Sequence, residues 1–227
     1  IDDVLLDDQS GKEMLKITRL SAKFDIIPLF NGKITISSVQ LFGFNINLNK
    51  PAPHMEPNFK FVLDAFASKD TVKTKKDIDL RINSILIRRG KLSYDVLSEE
   101  ETPGKFNPQH IKLHNIIANI SLKALQNDSI NAAIKRLSVD EQSGFELRKL
   151  SLKVIANNKG MKIENFAIEM PGTEMKMDTI RMEYDSLKAL NHFADNVRFS
   201  FRTLPSHVTL NDISAFVPAL SNFKEKL

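Results

Sequence analysis

The feature that most constrains this chain is a period-two alternation of apolar and polar residues along much of its length. It is clearest in segments 20–26, 44–48 and 92–96, where every second residue is apolar. Successive side chains of a β-strand point to opposite faces of the sheet, so this pattern predicts strands with one apolar face. The chain is therefore expected to be mainly β.

Turn signals separate the alternating segments. The Asn-Gly pair is the strongest of them, because both residues tolerate the positive φ of a tight hairpin. The predicted turns are Ser10-Gly11, Asn31-Gly32, Arg89-Gly90, Asn157-Asn158-Lys159-Gly160 and Pro171-Gly172. Such short connections favour antiparallel neighbours.

A six-residue signature, apolar followed by two polar residues, then apolar, any and apolar, recurs ten times. Composition alone gives roughly five or six matches, so the enrichment supports a repeat without establishing one. The matches are Ile17/Leu20/Ala22, Ile36/Val39/Leu41, Ile82/Ile85/Ile87, Leu113/Ile116/Ala118, Ile134/Leu137/Val139, Leu147/Leu150/Leu152, Ile163/Phe166/Ile168, Met177/Ile180/Met182, Ala194/Val197/Phe199 and Leu210/Ile213/Ala215.

The three-residue step inside this signature has two interpretations. In a regular strand the first and second apolar residues would face opposite sides of the sheet, which requires both faces to be covered. Alternatively, a β-bulge inserts one residue, keeps the apolar side chains on one face and bends the strand. Bends repeated across neighbouring strands would curl the sheet into a trough.

Three stretches have helical spacing, and two proline-bearing segments predict loops. The expected helices are Asn58–Lys69, with Asn58 as a cap, Ser186–Ala194, and Asp212–Leu227, which Pro218 must interrupt. The expected loops are Pro51–Pro57 and Glu99–Pro108. We therefore predict one elongated domain over 1–227, with 1–98 and 109–227 as candidate sub-units on either side of the 99–108 loop.

Composition excludes or disfavours several classes of function. The absence of cysteine excludes disulfides and thiolate chemistry. The net charge of +4 is spread along the strands rather than gathered beside stacking aromatics, so nucleic acid is not an expected partner. No apolar run is long enough for a membrane helix. Phe outnumbers Tyr 15 to 2, with no Trp, which favours dry apolar contact.

Motifs for catalysis or metal binding are weak. His110 and His114 have metal-pair spacing only on a helix, and the surrounding residues predict a strand. The acidic residues Asp2, Asp3, Asp7 and Asp8 lack the spacing of a calcium loop. No Gly-x-Ser-x-Gly elbow is present. We expect no catalytic residues, metal or cofactor. Acid and base groups can still assemble in space, so an enzyme of unknown type is a third hypothesis.

Residues 28–48, PLFNGKITISSVQLFGFNINL, resemble the N-terminal periplasmic part of the AsmA and TamB-like envelope proteins, and residues 205–218 are similar to a segment of the Bacteroides-type members. Those proteins carry a strand, a Pro-Leu-Leu-x-Gly turn, a strand ending in Gly-Pro and a further strand. The resemblance extends to Asn58-Phe59, Gly90-Lys91-Leu92-Ser93-Tyr94 and 205–218. Phe44 stands where the family usually has Pro.

The resemblance implies a periplasmic protein, tethered to the inner membrane by an N-terminal anchor outside this sequence. In such a protein a curved, mostly antiparallel, groove-like sheet with two or three short helices binds lipid acyl chains that move toward the outer membrane. The alternative is a scaffold that assists assembly of outer-membrane proteins by strand addition. Alternation nominates these lipid-groove residues: Phe24, Ile36, Leu41, Ile46, Ile87 and Leu92.

Overall fold

The computed structural model describes residues 1–25, 33–66, 79–126, 129–186, 195 and 197–214. They form one curved, unclosed sheet of ten mostly antiparallel strands, with two short helices. This confirms the predicted fold class. The predicted helix Ser186–Ala194, most of Asp212–Leu227 and the Asn31-Gly32 turn lie outside the described residues.

The elements follow the chain in order, and each strand pairs with its neighbours in sequence. The strands are β1 (Asp2–Asp7), β2 (Glu13–Asp25), β3 (Lys33–Lys50), β4 (Asp79–Val96), β5 (His110–Gln126), β6 (Ser129–Glu141), β7 (Glu146–Ala156), β8 (Gly160–Glu169), β9 (Glu174–Glu183) and β10 (Arg198–Thr203). The helices are α1 (Lys60–Phe66) and α2 (Leu210–Ser214).

All neighbouring strands are antiparallel except β3 and β4, which are parallel. A parallel pair needs a long crossover connection, and 28 residues, 51–78, separate the two strands in the sequence. The predicted loop 99–108 joins β4 to β5, which pair from Asp95↔His110 to Leu80↔Leu125. The sheet is thus continuous on both sides of that loop.

The three-residue steps of the signature coincide with β-bulges. Eight of the ten matches lie in strands, and in seven of these the pairing register shifts within the step. In β6, for example, Ile134 and Leu137 lie opposite Leu152 and Leu150 of β7. A step of three residues in β6 therefore faces a step of two residues in β7. Ile17/Leu20 shows no register shift, because the step opposite it in β3, Leu41 to Phe44, has the same length and contains the left-handed Gly43. Leu210/Ile213 falls in α2. The bulge interpretation is therefore confirmed for most of the sheet.

The prediction of a turn at Arg89-Gly90 is wrong, because both residues lie inside β4. Arg89 instead has a φ of 56°, and the neighbouring position in β3, Gly43, has a φ of 65°. The left-handed backbone at these two positions bends the strands without ending them. At Gly43 a Cβ would also lie 2.7 Å from the Oγ1 atom of Thr18. β3 consequently continues through Gly43 rather than ending there.

The predicted helix at Asn58–Lys69 is present as α1, but Asn58 does not cap it. The Asn58 side chain accepts a hydrogen bond from the Asn49 backbone N–H at 3.0 Å and donates to the Asn47 carbonyl at 3.1 Å. It also contacts Asp8 at 3.5 Å, in the turn between β1 and β2. Asn58 therefore ties the connection after β3 to the sheet end, because its amide both donates and accepts.

The buried apolar side chains lie mostly toward the two ends of the strands rather than across the middle of the sheet. One group is Met14, Ile17, Phe44, Val96 and Leu147, and the other is Ala156, Tyr184 and Val197. Among the described apolar residues, Ala118 is buried at the centre of β5, and Phe44 lies six residues before the end of β3. The described part of the chain contains no second sheet that could cover the middle.

Phe44 provides a test of packing at the bend that β3 and β4 share. A Cβ placed on Gly90 would overlap the Phe44 ring and lie 3.0 Å from the Cβ of Ile116. We expect Gly90→Ala to lower the free energy of unfolding by about 1–3 kcal/mol, as overpacking does. Urea denaturation would measure it. Lys91→Ala, the control at the next and exposed position, is expected to change stability by less than about 0.5 kcal/mol. An equal loss when Gly90→Ala is made in a Phe44→Leu background would contradict the steric cause.

Candidate functional site

One face of the sheet carries an unbroken row of apolar side chains from β2 to β10. Residues opposite each other in register lie on the same face, so the pairing traces the row directly. Its nine members, the long row, are Phe24, Ile36, Ile82, Leu122, Ala132, Val154, Ile163, Ile180 and Phe201. Eight gaps of about 4.8 Å give the row a length of roughly 38 Å across the strands.

Two further rows run beside the long row on the same face, which we call the apolar face. The middle row crosses eight strands and consists of Leu20, Leu41, Ile87, Ala118, Leu137, Leu150, Ile168 and Met175. The short row crosses four strands and consists of Leu15, Ile46, Leu92 and Leu113; Glu141 of β6 follows it. Together the rows make a continuous apolar surface.

The six nominated residues fall into three directly opposed pairs on β2, β3 and β4. Phe24 pairs with Ile36 in the long row, Leu41 with Ile87 in the middle row, and Ile46 with Leu92 in the short row. Each pair thus belongs to a different row. Their role in lipid binding remains a prediction.

Alternation did not nominate the residues that extend the rows into β5–β10, such as Leu122, Ile163 and Phe201. The signal that could have found many of them was present, because the six-residue signature includes Leu137, Leu150, Ile163, Ile168 and Ile180. What the signature cannot supply is the register that places them opposite one another.

The apolar face is not covered by a packed second layer in the described part of the chain. The seven inner members of the long row are only half-buried, and the end members Phe24 and Phe201 are 54% and 55% exposed. Side chains between two packed layers reach nearly complete burial. The half-burial seen here is what neighbouring side chains of one layer produce.

The opposite face, the polar face, carries charged side chains that pair across strands. Lys149 of β7 contacts Glu169 of β8 at 2.7 Å, and Lys153 contacts Glu164 at 2.7 Å. Hydrogen bonds from Lys153 and then Lys162 lower the pKa of Glu164 to about 2. These ion pairs are solvated and contribute little to stability individually. They identify this face as the one that contacts water.

A cluster of ionisable residues lies where the 99–108 loop meets β5. The His110 ring is 9% exposed; its Nδ1 lies 3.0 Å from Asp95 Oδ1 and its Nε2 lies 3.0 Å from the Glu99 carbonyl. Both partners accept hydrogen bonds, so the geometry suits an imidazolium with two N–H groups. The hydrogen bond with Asp95 and then that with Glu99 raise the pKa of His110.

Asp95, Glu101 and His110 are close enough to share a metal ion, with one ligand atom of each within 4.8 Å of the others. Each is already engaged, however, because Glu101 pairs with Lys112 at 3.0 Å and both His110 nitrogens have partners. An ion would have to displace Lys112 and the Nδ1 proton. His114 lies four residues further along the strand, roughly 13 Å away. We interpret the cluster as an anchor for the loop.

No family model matches the chain, and no curated protein matches it. Among the described residues, no helix is long and apolar enough to cross a membrane. The case for a function therefore depends on the sequence and on the geometry of the apolar face.

The His110 cluster predicts a pH dependence of stability. Because its pKa is raised above 6.5 in the folded protein, protonated His110 stabilises the fold fully below about pH 6.5, and this contribution is lost as the pH rises through the raised value. We expect the melting temperature of the wild type to fall over that range relative to His110→Gln. His114→Gln, the control on the same strand, should keep the wild-type slope. Identical pH profiles for the wild type and His110→Gln would contradict the assignment.

Proposed function

We propose that this chain is a non-enzymatic, periplasmic segment of an AsmA/TamB-like envelope protein that binds lipid acyl chains along its apolar face. Its role would be to carry phospholipid from the inner membrane toward the outer membrane. The observation that carries the proposal is the long row, nine strands wide, on a face that no second layer covers among the described residues. The likeness of residues 28–48 to that family supports the same function.

The dimensions of the rows suit a lipid tail that lies across the strands. Half of a bilayer's hydrocarbon core is about 15 Å thick, which is the reach of one tail along the membrane normal. The long row extends roughly 38 Å, so two tails fit end to end. The middle row follows it through eight strands and widens the surface that a tail contacts.

The energetics suit reversible binding. Each methylene removed from water contributes about 0.8 kcal/mol, so a sixteen-carbon tail supplies on the order of 10 kcal/mol before ordering costs. An open sheet face removes only one side of the tail from water, which reduces this figure. Binding of that strength holds a tail and still releases it to the next segment of a transport path.

A second candidate function is assistance in outer-membrane protein assembly by strand addition. The observation that favours it is that β1 and β10 each have one edge that pairs with no strand among the described residues. An added strand would be held by main-chain hydrogen bonds at these edges. Crosslinks along β1 or β10, rather than on the apolar face, would identify that function.

Photocrosslinking distinguishes the two faces of one strand. Ile87 lies in the middle row, and Leu86, the next residue, faces the other side opposite Asn119. A benzophenone residue at Ile87 is expected to label a phosphatidylethanolamine added to the purified protein, and the same residue at Leu86 is not. Equal labelling at both positions, or none at Ile87, would overturn the proposal.

A charge on the apolar face gives an independent measurement. We expect Ile87→Glu to reduce binding of a fluorescent fatty acid about tenfold, since 1.4 kcal/mol is enough for that loss. Leu86→Glu is the matched control and should bind like the wild type. Circular dichroism would show that both variants keep the sheet.

A further inference from the structure

The two edge strands of the sheet, β1 and β10, have complementary sequences. Each uses one edge to pair, with β2 and β9 respectively, and no described strand pairs with the other edge. Open edges present unpaired N–H and C=O groups, and proteins normally protect them. The side chains of β1 and β10 indicate what kind of strand can pair with each open edge.

The edge strand β10 alternates basic and aromatic residues. Phe199 and Phe201 lie on the apolar face, opposite Met182 and Ile180, and their rings stack at a centroid distance of 5.9 Å. Both are 55% exposed. The other side carries Arg198, Ser200 and Arg202. The guanidinium of Arg202 makes only a loose contact with Asp178, at 3.8 Å and largely exposed.

The edge strand β1 carries acidic residues on the side where β10 carries basic ones, and apolar residues on the apolar face. Val4 and Leu6 lie on the apolar face, opposite Ile17 and Leu15 of β2. Leu5 points to the other side and is 58% exposed. It stands midway between Asp3 and Asp7, which are four residues apart, the same spacing as Arg198 and Arg202.

We propose that β10 of one copy of this chain pairs antiparallel with β1 of a second copy and so continues the sheet from one molecule to the next. In the register that places Ser200 opposite Leu5, each charged residue lies opposite a residue of the other charge, and each Phe lies opposite an aliphatic residue. It places Arg198 opposite Asp7, Phe199 opposite Leu6, Phe201 opposite Val4 and Arg202 opposite Asp3. The apolar faces of the two copies then lie on the same side, and Phe201, at the end of the long row, lies opposite Val4, which pairs with Ile17 of β2.

Charge selects this head-to-tail pairing over the two symmetric ones. An antiparallel β10–β10 pair centred on Ser200 places Arg198 opposite Arg202, and a β1–β1 pair centred on Leu5 places Asp3 opposite Asp7. Like charges directly opposite each other destabilise a sheet, whereas opposite charges and aromatic–aliphatic pairs stabilise it. A head-to-tail contact uses two different surfaces, so it generates rings or open chains rather than closed dimers.

The backbone of β1 limits the extent of the pairing. Asp3 has a φ of 51°, which interrupts the regular edge just before Val4. Asp2, beyond it, is already paired with Arg19 at 2.9 Å. The regular ladder therefore covers Val4 to Asp7, and the long Arg202 side chain reaches Asp3 from the end of that ladder.

A charge exchange tests the proposal, which does not depend on lipid binding. In sedimentation velocity at low ionic strength we expect the wild type to associate with rising concentration, and Arg198→Asp/Arg202→Asp and Asp3→Arg/Asp7→Arg each to remain monomeric. An equimolar mixture of the two variants is expected to associate again, because each then offers an edge of the charge that the other lacks. A wild type that stays monomeric, variants that associate as the wild type does, or a mixture that stays monomeric would overturn the proposal.

A disulfide trap fixes the register and does not rely on the charge variants folding. The chain contains no cysteine, so Leu5→Cys and Ser200→Cys introduce single thiols. Mixed under mild oxidation, they are expected to form a disulfide between the two variants, and Leu6→Cys mixed with Ser200→Cys much less of it. Disulfides only between two Ser200→Cys chains would indicate β10 self-pairing, and none at all would indicate free edges; both results would overturn the proposal.

Discussion

The architecture depends on the extra residue that most strands insert between apolar positions. A side chain changes face at every residue, so a step of three would send half of each strand's apolar residues to the polar side. The bulges at positions such as Ile134/Leu137 and Leu147/Leu150 each insert one residue, so the apolar side chains after the bulge lie on the apolar face again. In β3–β4 and β8–β9 the bulged steps lie opposite each other and the register is unchanged, whereas in β6–β7 each step faces a shorter one and the register shifts. In both cases the apolar residues remain opposed in rows across the sheet.

A single-layer sheet must find its stability elsewhere than in a central core. Here most of the buried apolar groups among the described residues lie toward the strand ends, and the turns at one end are closed by side chains. Asp8 accepts hydrogen bonds from the Ser10 and Lys12 backbone, and Glu141 accepts one from the Ser143 backbone. Such caps satisfy backbone donors that would otherwise be unpaired. The middle of the apolar face is half-buried, with no covering layer among the described residues.

The same one-layer design explains why the edges matter as much as the face. A closed barrel limits its open backbone groups, whereas in this open sheet β1 and β10 each have an edge that pairs with no described strand. In this chain the acidic β1 and the basic β10 differ in charge while both carry apolar residues on the same face. Lipid contact and edge pairing would therefore extend one surface, since added strands lengthen the rows that a tail contacts.

The amino-acid sequence by itself determined the strand content, the antiparallel hairpins and the side on which each strand is apolar. These are local properties, because period-two alternation and turn residues act within a few positions. The six-residue signature allowed either two covered faces or a bulge, and the strand pairing decided for the bulge in most strands. Arg89-Gly90 shows the limit of this reasoning. The pair looks like a turn locally, but Gly43 beside it in β3 shares the left-handed conformation, and the pairing of the strands holds both within the sheet.

Only the tertiary structure decided the register, the parallel β3–β4 pair and the absence of a covering layer among the described residues. Register results from contacts between residues far apart in the chain, such as Phe24 with Ile36 and Ile180 with Phe201. No local pattern specifies those contacts, because several alignments would satisfy the same alternation. For that reason the six nominated residues, chosen from β2 to β4, identified the apolar face but not the nine-strand row to which two of them belong.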